Sequence, residues 1–259
     1  MKQPIVIIGI GELAGVFAKA FLRNGYPLYP ITRNMNIDPE AENLPEPRLV
    51  LVAVAEKDFQ EVMETIPARW RNKLVLIQNE LLPHDWLAHA IDNPTVISVW
   101  FEKKKGMDYN VLLPSPIYGP EANLIAESLA SIEIPCKILA SEDELVFELV
   151  LKNVFVFTIN IAGLILPDGT TTSLLWQKHQ KLACDVAKDV IALQEFVTER
   201  SSSRERLMEG FEKGIKGDPD HKCKGRSAPG RLTRVMEIAE AAGVKIPMIR
   251  DVYRQFLRQ

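Results

Sequence analysis

Apolar positions along this chain follow two rhythms. Up to about residue 140, short unbroken apolar runs alternate with stretches in which apolar residues recur three and four apart. Beyond that point only the helical spacing remains. Residues 5–8 are wholly apolar and stop at Gly9, which predicts a buried strand. Residues 12–24 place Leu13, Val16, Phe17, Ala20 and Phe21 on one helical face and end at Gly25. Further strands are predicted over 28–32, 49–54, 74–77 and 96–101, with a helix through 59–66 and a proline-containing loop over 39–47. A basic loop follows at 103–106, then a strand over 109–113, a helix over 121–131 and an edge strand over 134–139.

Strand, helix and strand at this spacing predict right-handed βαβ units and a parallel sheet covered on both faces. The pattern changes at Ser141, where Ser141 and Glu144 have the spacing of a helix capping box. Helices are then predicted over 142–165, 171–200, 203–215, 228–242 and 247–258. The expected organisation is an α/β domain over 1–140 and an all-helical domain over 141–259. The most apolar stretch, 145–166, is long enough to span a membrane, but Glu148, Lys152, Asn153 and Asn160 would be costly in lipid, so a buried core helix is expected.

Composition narrows the classes of partner. The chain has 259 residues and a formal net charge of −3, which argues against nucleic acid or an anionic membrane as its main partner. Three cysteines, with no CxxC spacing, point away from a disulfide framework and toward a reducing, cytoplasmic setting. The apolar start of the chain reads as a strand and lacks the features of a signal peptide.

The first chemistry lies at the first strand-to-helix turn. Gly9-Ile10-Gly11-Glu12-Leu13-Ala14 has Gly9 for the tight turn and Gly11 for close approach of a pyrophosphate. Ala14 takes the small position where helix meets strand, and the helix N-terminus offers N–H groups to phosphate. The N-terminal sheet is therefore expected to be of Rossmann type. The second strand ends in Thr32-Arg33, where an NAD-preferring site usually carries an acidic residue. A guanidinium there pairs with a 2′-phosphate, so NADP is the expected cofactor.

With these residues in place, the chain resembles the ketopantoate reductase (2-dehydropantoate 2-reductase) family. The matches run in order: Gly9-x-Gly11-x-x-Ala14, then Arg23-Asn24-Gly25-Tyr26, then Thr32-Arg33. Leu76-Ile77-Gln78-Asn79 is similar to the family's strand ending in His-Asn or Gln-Asn, and 114–120 resembles its Gly-containing turn before a helix. Lys152 and Asn160, eight residues apart, match its catalytic Lys and a substrate-binding Asn. Residues 231–247 resemble its terminal helix with a Gly-Val-x-Ile-Pro exit. The chain departs from the pattern at Glu80, where the family has Gly, and at Val156, where it has a second Asn. Its late catalytic Glu has no clear counterpart, Ser227 falling near that register.

The resemblance implies an NADPH-dependent reductase of a small 2-oxo acid or related carbonyl compound, with Lys152 as general acid. Asn79 would meet ligand at the carboxyl end of its strand, and Asn160 would donate to substrate from the side of the helix that bears Lys152. Glu80, Arg226 and Ser227 are candidate substrate contacts, the last two in a small-residue loop before a helix. No metal is expected: Asp218, Asp220, His221 and Cys223 fit no known ligand spacing. Leu193, Phe196 and Val197 suggest pairing of two copies, with a C2 homodimer as the default. Two alternatives stay open. One is a non-catalytic NADP-binding regulatory or assembly protein derived from this family. The other is a related dehydrogenase of the superfamily with a 6-phosphogluconate dehydrogenase-like C-terminal domain.

Overall fold

The computed structural model describes residues 2–258, in two compact units, Met1–Leu149 and Val150–Gln259. The division falls inside one long helix.

In the first unit the chain runs β1 (Ile5–Ile8), α1 (Glu12–Arg23), β2 (Leu28–Ile31), α2 (Ile37–Asn43), β3 (Leu49–Val52), α3 (Phe59–Glu64), β4 (Leu74–Leu76) and α4 (Pro83–Leu87). It continues through β5 (Thr95–Ile97), β6 (Phe101–Lys103), β7 (Tyr109–Val111), β8 (Ser115–Tyr118), α5 (Ala122–Ala130) and β9 (Cys136–Ile138). Seven strands form one sheet in the order β2-β1-β3-β4-β5-β8-β9, and β6 and β7 form a separate antiparallel hairpin. Ile8 lies level with both Ile31 and Val52, and Val52 with Leu76, so β1 to β4 end at one edge. The alternation of strand side chains puts Ile5, Ile7, Leu49 and Leu51 in one cluster with Val16, Phe17, Ala20 and Phe21 of α1 and Ile125 and Leu129 of α5. The opposite phase, including Val6, Ile8, Val50 and Val52, is also buried, as unbroken apolar runs require.

Several elements differ from the sequence reading. Residues 39–47 were expected to be a loop, yet α2 begins at Ile37. The Asn36 side chain accepts the Asp38 N–H, and Pro39 falls in the first turn, where its missing N–H costs nothing. The sheet is mixed instead of wholly parallel. Residues 114–120, expected to turn, contain β8, which pairs antiparallel with β5. Pro116 lacks a donor, but its carbonyl still accepts the Ser98 N–H at 2.9 Å. The glycine that ends β8 is required: at Gly119 (φ +120°) a Cβ would lie 2.6 Å from the Pro94 carbonyl oxygen. The expected strand 96–101 is divided, because the chain leaves the sheet after Ile97 and its Trp100 N–H turns to Ser115 Oγ at 2.9 Å.

The long helix is α6 (Glu142–Gly163), entered through the expected cap: Ser141 Oγ accepts the Glu144 N–H, while the Glu144 carboxylate takes the Ala140 N–H. It is long and apolar enough to cross a membrane, but 83% of its most apolar window is buried inside the protein. The second unit adds α7 (Thr172–Lys178), α8 (Gln180–Thr198), α9 (Arg204–Gly217), α10 (Ala228–Ala242) and α11 (Pro247–Phe256). The single helix expected over 171–200 is broken at His179, whose backbone (φ −131°, ψ 28°) leaves the helical region. Phe211 of α9 packs against Phe155 of α6 and Trp176 of α7, with ring centroids 6.2 and 5.8 Å apart. Asp189 of α8 accepts the Ile249 N–H at 3.0 Å, supplying a side-chain acceptor to the first turn of α11.

Candidate functional site

In the first unit the site is built at the edge where β1 to β4 end. Gly9 leaves β1 with its N–H donated to the Ile31 carbonyl at 2.9 Å, which holds the turn beside β2. Its φ is +87°, and a Cβ there would lie 2.8 Å from the Ala53 carbonyl oxygen and 2.9 Å from Val54 Cγ1. Only glycine fits without moving the chain that leaves β3. Gly11 caps α1 in extended conformation with no side-chain hydrogen bond, and a Cβ on it would meet nothing within 4 Å. The first bond of the helix runs from Gly15 N–H to the Gly11 carbonyl, so the N–H groups of Glu12, Leu13 and Ala14 precede its ladder. Ala14 is buried, Leu13 half-buried, and Glu12 and Ile10 exposed. This open glycine turn at the positive end of a helix is a candidate phosphate cradle.

Thr32 and Arg33 follow β2 directly, and the Gly9–Ile31 bond sets them next to the cradle. Thr32 is half-buried and its carbonyl accepts the Met35 N–H at 3.0 Å, closing a turn that exposes Arg33. Asn79 and Glu80 follow β4 at the same edge. Asn79 Nδ2 donates to Glu56 Oε1 at 3.0 Å, so Glu56 belongs to the site although nothing in the sequence singled it out. Gln78 is buried and structural: its amide donates to the Val52 carbonyl at 2.8 Å and accepts the Ile77 N–H at 3.2 Å, tying the ends of β3 and β4. Glu80 has φ +67°, a left-handed conformation that favours glycine. The substitution of glycine noted in the sequence therefore sits at a position with a backbone reason for glycine.

A groove of about 430 Å³ runs along α1 from the cradle, lined by Gly11, Glu12, Gly15 and Lys19 on the helix and by Lys103 and Tyr109 of the β6–β7 hairpin. Lys103 Nζ lies 3.5 Å from Glu12 Oε2.

In the second unit, Lys152 is half-buried on α6, with its ammonium 5.8 Å from the centre of the Phe155 ring. Glu148, one turn earlier and still in the first unit, faces Lys137 of the same unit at 3.4 Å. Asn160 is 4% exposed, and both ends of its amide are engaged. Nδ2 donates to the Cys223 carbonyl at 3.1 Å, and Oδ1 accepts from Arg231 Nη1 at 2.7 Å. This geometry makes Asn160 a tie between α6, the 223–225 loop and α10. Val156 is buried. Arg226 and Ser227 are exposed just before α10, while Arg231, in the same stretch, is 8% exposed. Burial pushes the Cys223 thiol up to about 12, and His221 Nδ1 lies 3.5 Å from Asp218 Oδ2. Of the residues proposed for pairing, Leu193 is buried within its own unit, Val197 is half-buried and Phe196 is 52% exposed.

A sheet with this order, followed by helices, is a Rossmann-type α/β unit joined to a helical one, with a glycine turn at its carboxyl edge and a basic residue after the second strand. The fold is similar to that of solved ketopantoate reductases. A 2-dehydropantoate 2-reductase from Geobacter metallireducens is similar with a TM-score of 0.70, covering 99% of this chain and 99% of its own at 14% identity. The enzyme of the same name from Methylococcus capsulatus has a TM-score of 0.69 over 99% and 96% at 11% identity. A D-mandelate dehydrogenase in complex with NADH has a TM-score of 0.66 over 99% and 98% at 10% identity. At these identities the shared property is the fold. No family model matches the sequence, and no curated protein matches it.

Proposed function

We propose that this chain is a divergent oxidoreductase of the ketopantoate reductase type that binds NADPH and reduces a small 2-oxo acid or related carbonyl compound. The observation that carries the proposal is the cradle at Gly9–Gly11 with Arg33 beside it. The residues present fit the cofactor: Gly9 tolerates no Cβ, Gly11 leaves open space, and the first turn of α1 has no side-chain cap. The N–H groups of Glu12, Leu13 and Ala14 would hold the pyrophosphate. Arg33, exposed at the end of β2, would pair with the 2′-phosphate. Asn79, held by Glu56, would orient the far end of the dinucleotide at the carboxyl edge of β4.

When bound, NADPH supplies the hydride. Reduction of a ketone also needs a proton at oxygen. The Lys152 ammonium polarises the carbonyl and donates that proton to the developing alkoxide. Glu80, Arg226 and Ser227 are exposed or half-exposed groups for substrate contact. Phe196 supports the C2 homodimer as part of this reading, and three free cysteines accord with a cytoplasmic setting.

A second reading has one observation in its favour. With Asn160 spent on Arg231 and Cys223, a chain that binds NADPH without turnover also fits. NADPH oxidation against a panel of 2-oxo acids separates the two. Turnover that falls about 10²–10⁴-fold in Lys152→Met, with NADPH affinity kept, supports the reductase. Tight NADPH binding with no turnover on any substrate supports the binding protein, and undiminished turnover in a well-folded Lys152→Met protein removes Lys152 from the mechanism.

A further inference from the structure

The groove along α1 contains a charge pair that the dinucleotide reading alone does not explain. Glu12 is the first residue of α1 and lines the groove beside the cradle, with 45% of its side chain exposed. A carboxylate is favourable at the positive end of a bare helix. The same carboxylate repels a pyrophosphate arriving at the N–H groups beside it.

Lys103 answers that charge from a different element. It ends β6, opposite Tyr109, and its ammonium is fastened by the carbonyl oxygens of Lys104, at 3.0 Å, and of Met107. Only 22% of its side chain is exposed, and Nζ stands 3.5 Å from Glu12 Oε2. The turn of the hairpin thus holds the cation in place beside the first turn of α1. The floor of the groove is bare at Gly11 and Gly15, where an added Cβ would meet nothing within 4 Å. Further along, Lys19 lies 5.6 Å from the centre of the Tyr109 ring, and Asp108 completes a lining of two acids and two bases.

We propose that Lys103 is a cofactor-positioning cation: it neutralises Glu12 so that the pyrophosphate of a dinucleotide can occupy the cradle. The inference rests on the NADPH-binding reading above and assigns to the β6–β7 hairpin a part in it. Glu12 becomes a tuning residue, whose charge sets how much the cradle depends on the hairpin.

The test is NADPH affinity, measured by titration calorimetry on the whole chain, for the parent, Lys103→Met, Glu12→Gln and the double variant, at low and high ionic strength. Lys103→Met should weaken binding about ten- to a hundredfold at low salt, the scale of one misplaced charge near a phosphate. Glu12→Gln should bind as tightly as the parent or tighter. The double variant should return to within about threefold of the parent, because both charges are then gone. Added salt should narrow the gap between parent and Lys103→Met. A Lys103→Met affinity equal to the parent's overturns the proposal. So does a loss of the same size in the Glu12→Gln background, which would mark Lys103 as a structural fastener of the hairpin. A parent that binds neither NADPH nor NADH overturns the dinucleotide reading itself, and the role of Lys103 with it.

Discussion

Replacing Asn160 by Ala separates the structural role seen here from the substrate role that spacing on α6 implied. The amide is 4% exposed and makes two hydrogen bonds. One goes to a neutral carbonyl, at Cys223, and is worth about 0.5–1.5 kcal/mol net. The other comes from a guanidinium, at Arg231, and is charge-assisted, worth about 1.5–3 kcal/mol. Removing both also takes a buried acceptor from Arg231 and a buried donor from the Cys223 carbonyl. The expected loss is about 2–4 kcal/mol. For a chain of this size that is a fall in Tm of about 5–12 °C in the transition that carries the second unit. Differential scanning calorimetry reads it directly, with hydrogen exchange along α6 and α10 locating the change. NADPH affinity should be unchanged. An Asn160→Ala protein as stable as the parent, with a raised KM for its carbonyl substrate, would refute the argument and restore Asn160 to the substrate site.

Glu80 holds φ at +67°, so Glu80→Gly should raise stability by about 0.5–1 kcal/mol, the relief of the left-handed penalty outweighing glycine's entropy, while Glu80→Val should lower it by about 1–2 kcal/mol. Urea denaturation of the two variants checks this, and equal stability for Gly and Val would contradict it. Burial raises the Asp189 carboxyl above its ordinary range, against the lowering effect of the Ile249 and Met248 N–H groups. The folded form then binds the proton more tightly than the unfolded form, so stability falls as pH rises from the ordinary aspartate range through the raised value. Asp189→Asn, which keeps an acceptor for α11, should therefore be more stable than the parent at pH 7, with the advantage fading as pH falls through the raised value and gone by about pH 4. A constant difference across that range would show that the carboxyl is not perturbed.

Much of the fold was legible in the sequence because it rests on local pattern. The unbroken runs of β1 and β3 and the spacing of Val16, Phe17, Ala20 and Phe21 have few structural readings. The glycine turn was legible for the same reason: Gly9, Gly11 and Ala14 are neighbours, and Arg33 follows the next strand. What was missed depends on distant partners or on a single backbone bond. Pro116 disguised β8, since a strand that pairs through a proline's carbonyl looks like a turn. Pro39 disguised α2, which is made possible by the cap at Asn36. The break at His179 has no Gly or Pro to announce it. Asn160 shares a helix with Lys152, which spacing shows, but its partners lie 63 and 71 residues away. The link from Asn79 to Glu56 spans 23 residues and two strands' ends, and the link from Lys103 to Glu12 joins a hairpin to a helix. Periodicity carries no trace of either.

The central claim is that the edge of β1 and β2 binds NADPH, with Arg33 reading the 2′-phosphate. Its most direct test is a paired titration of NADPH and NADH against the parent chain and Arg33→Ala. The parent should bind NADPH more tightly than NADH. Arg33→Ala should lose about ten- to a hundredfold in NADPH affinity, the scale of one charge-assisted phosphate contact, and little in NADH affinity. Equal losses for both cofactors would contradict the role of Arg33, and absence of binding by the parent to either would contradict the account as a whole.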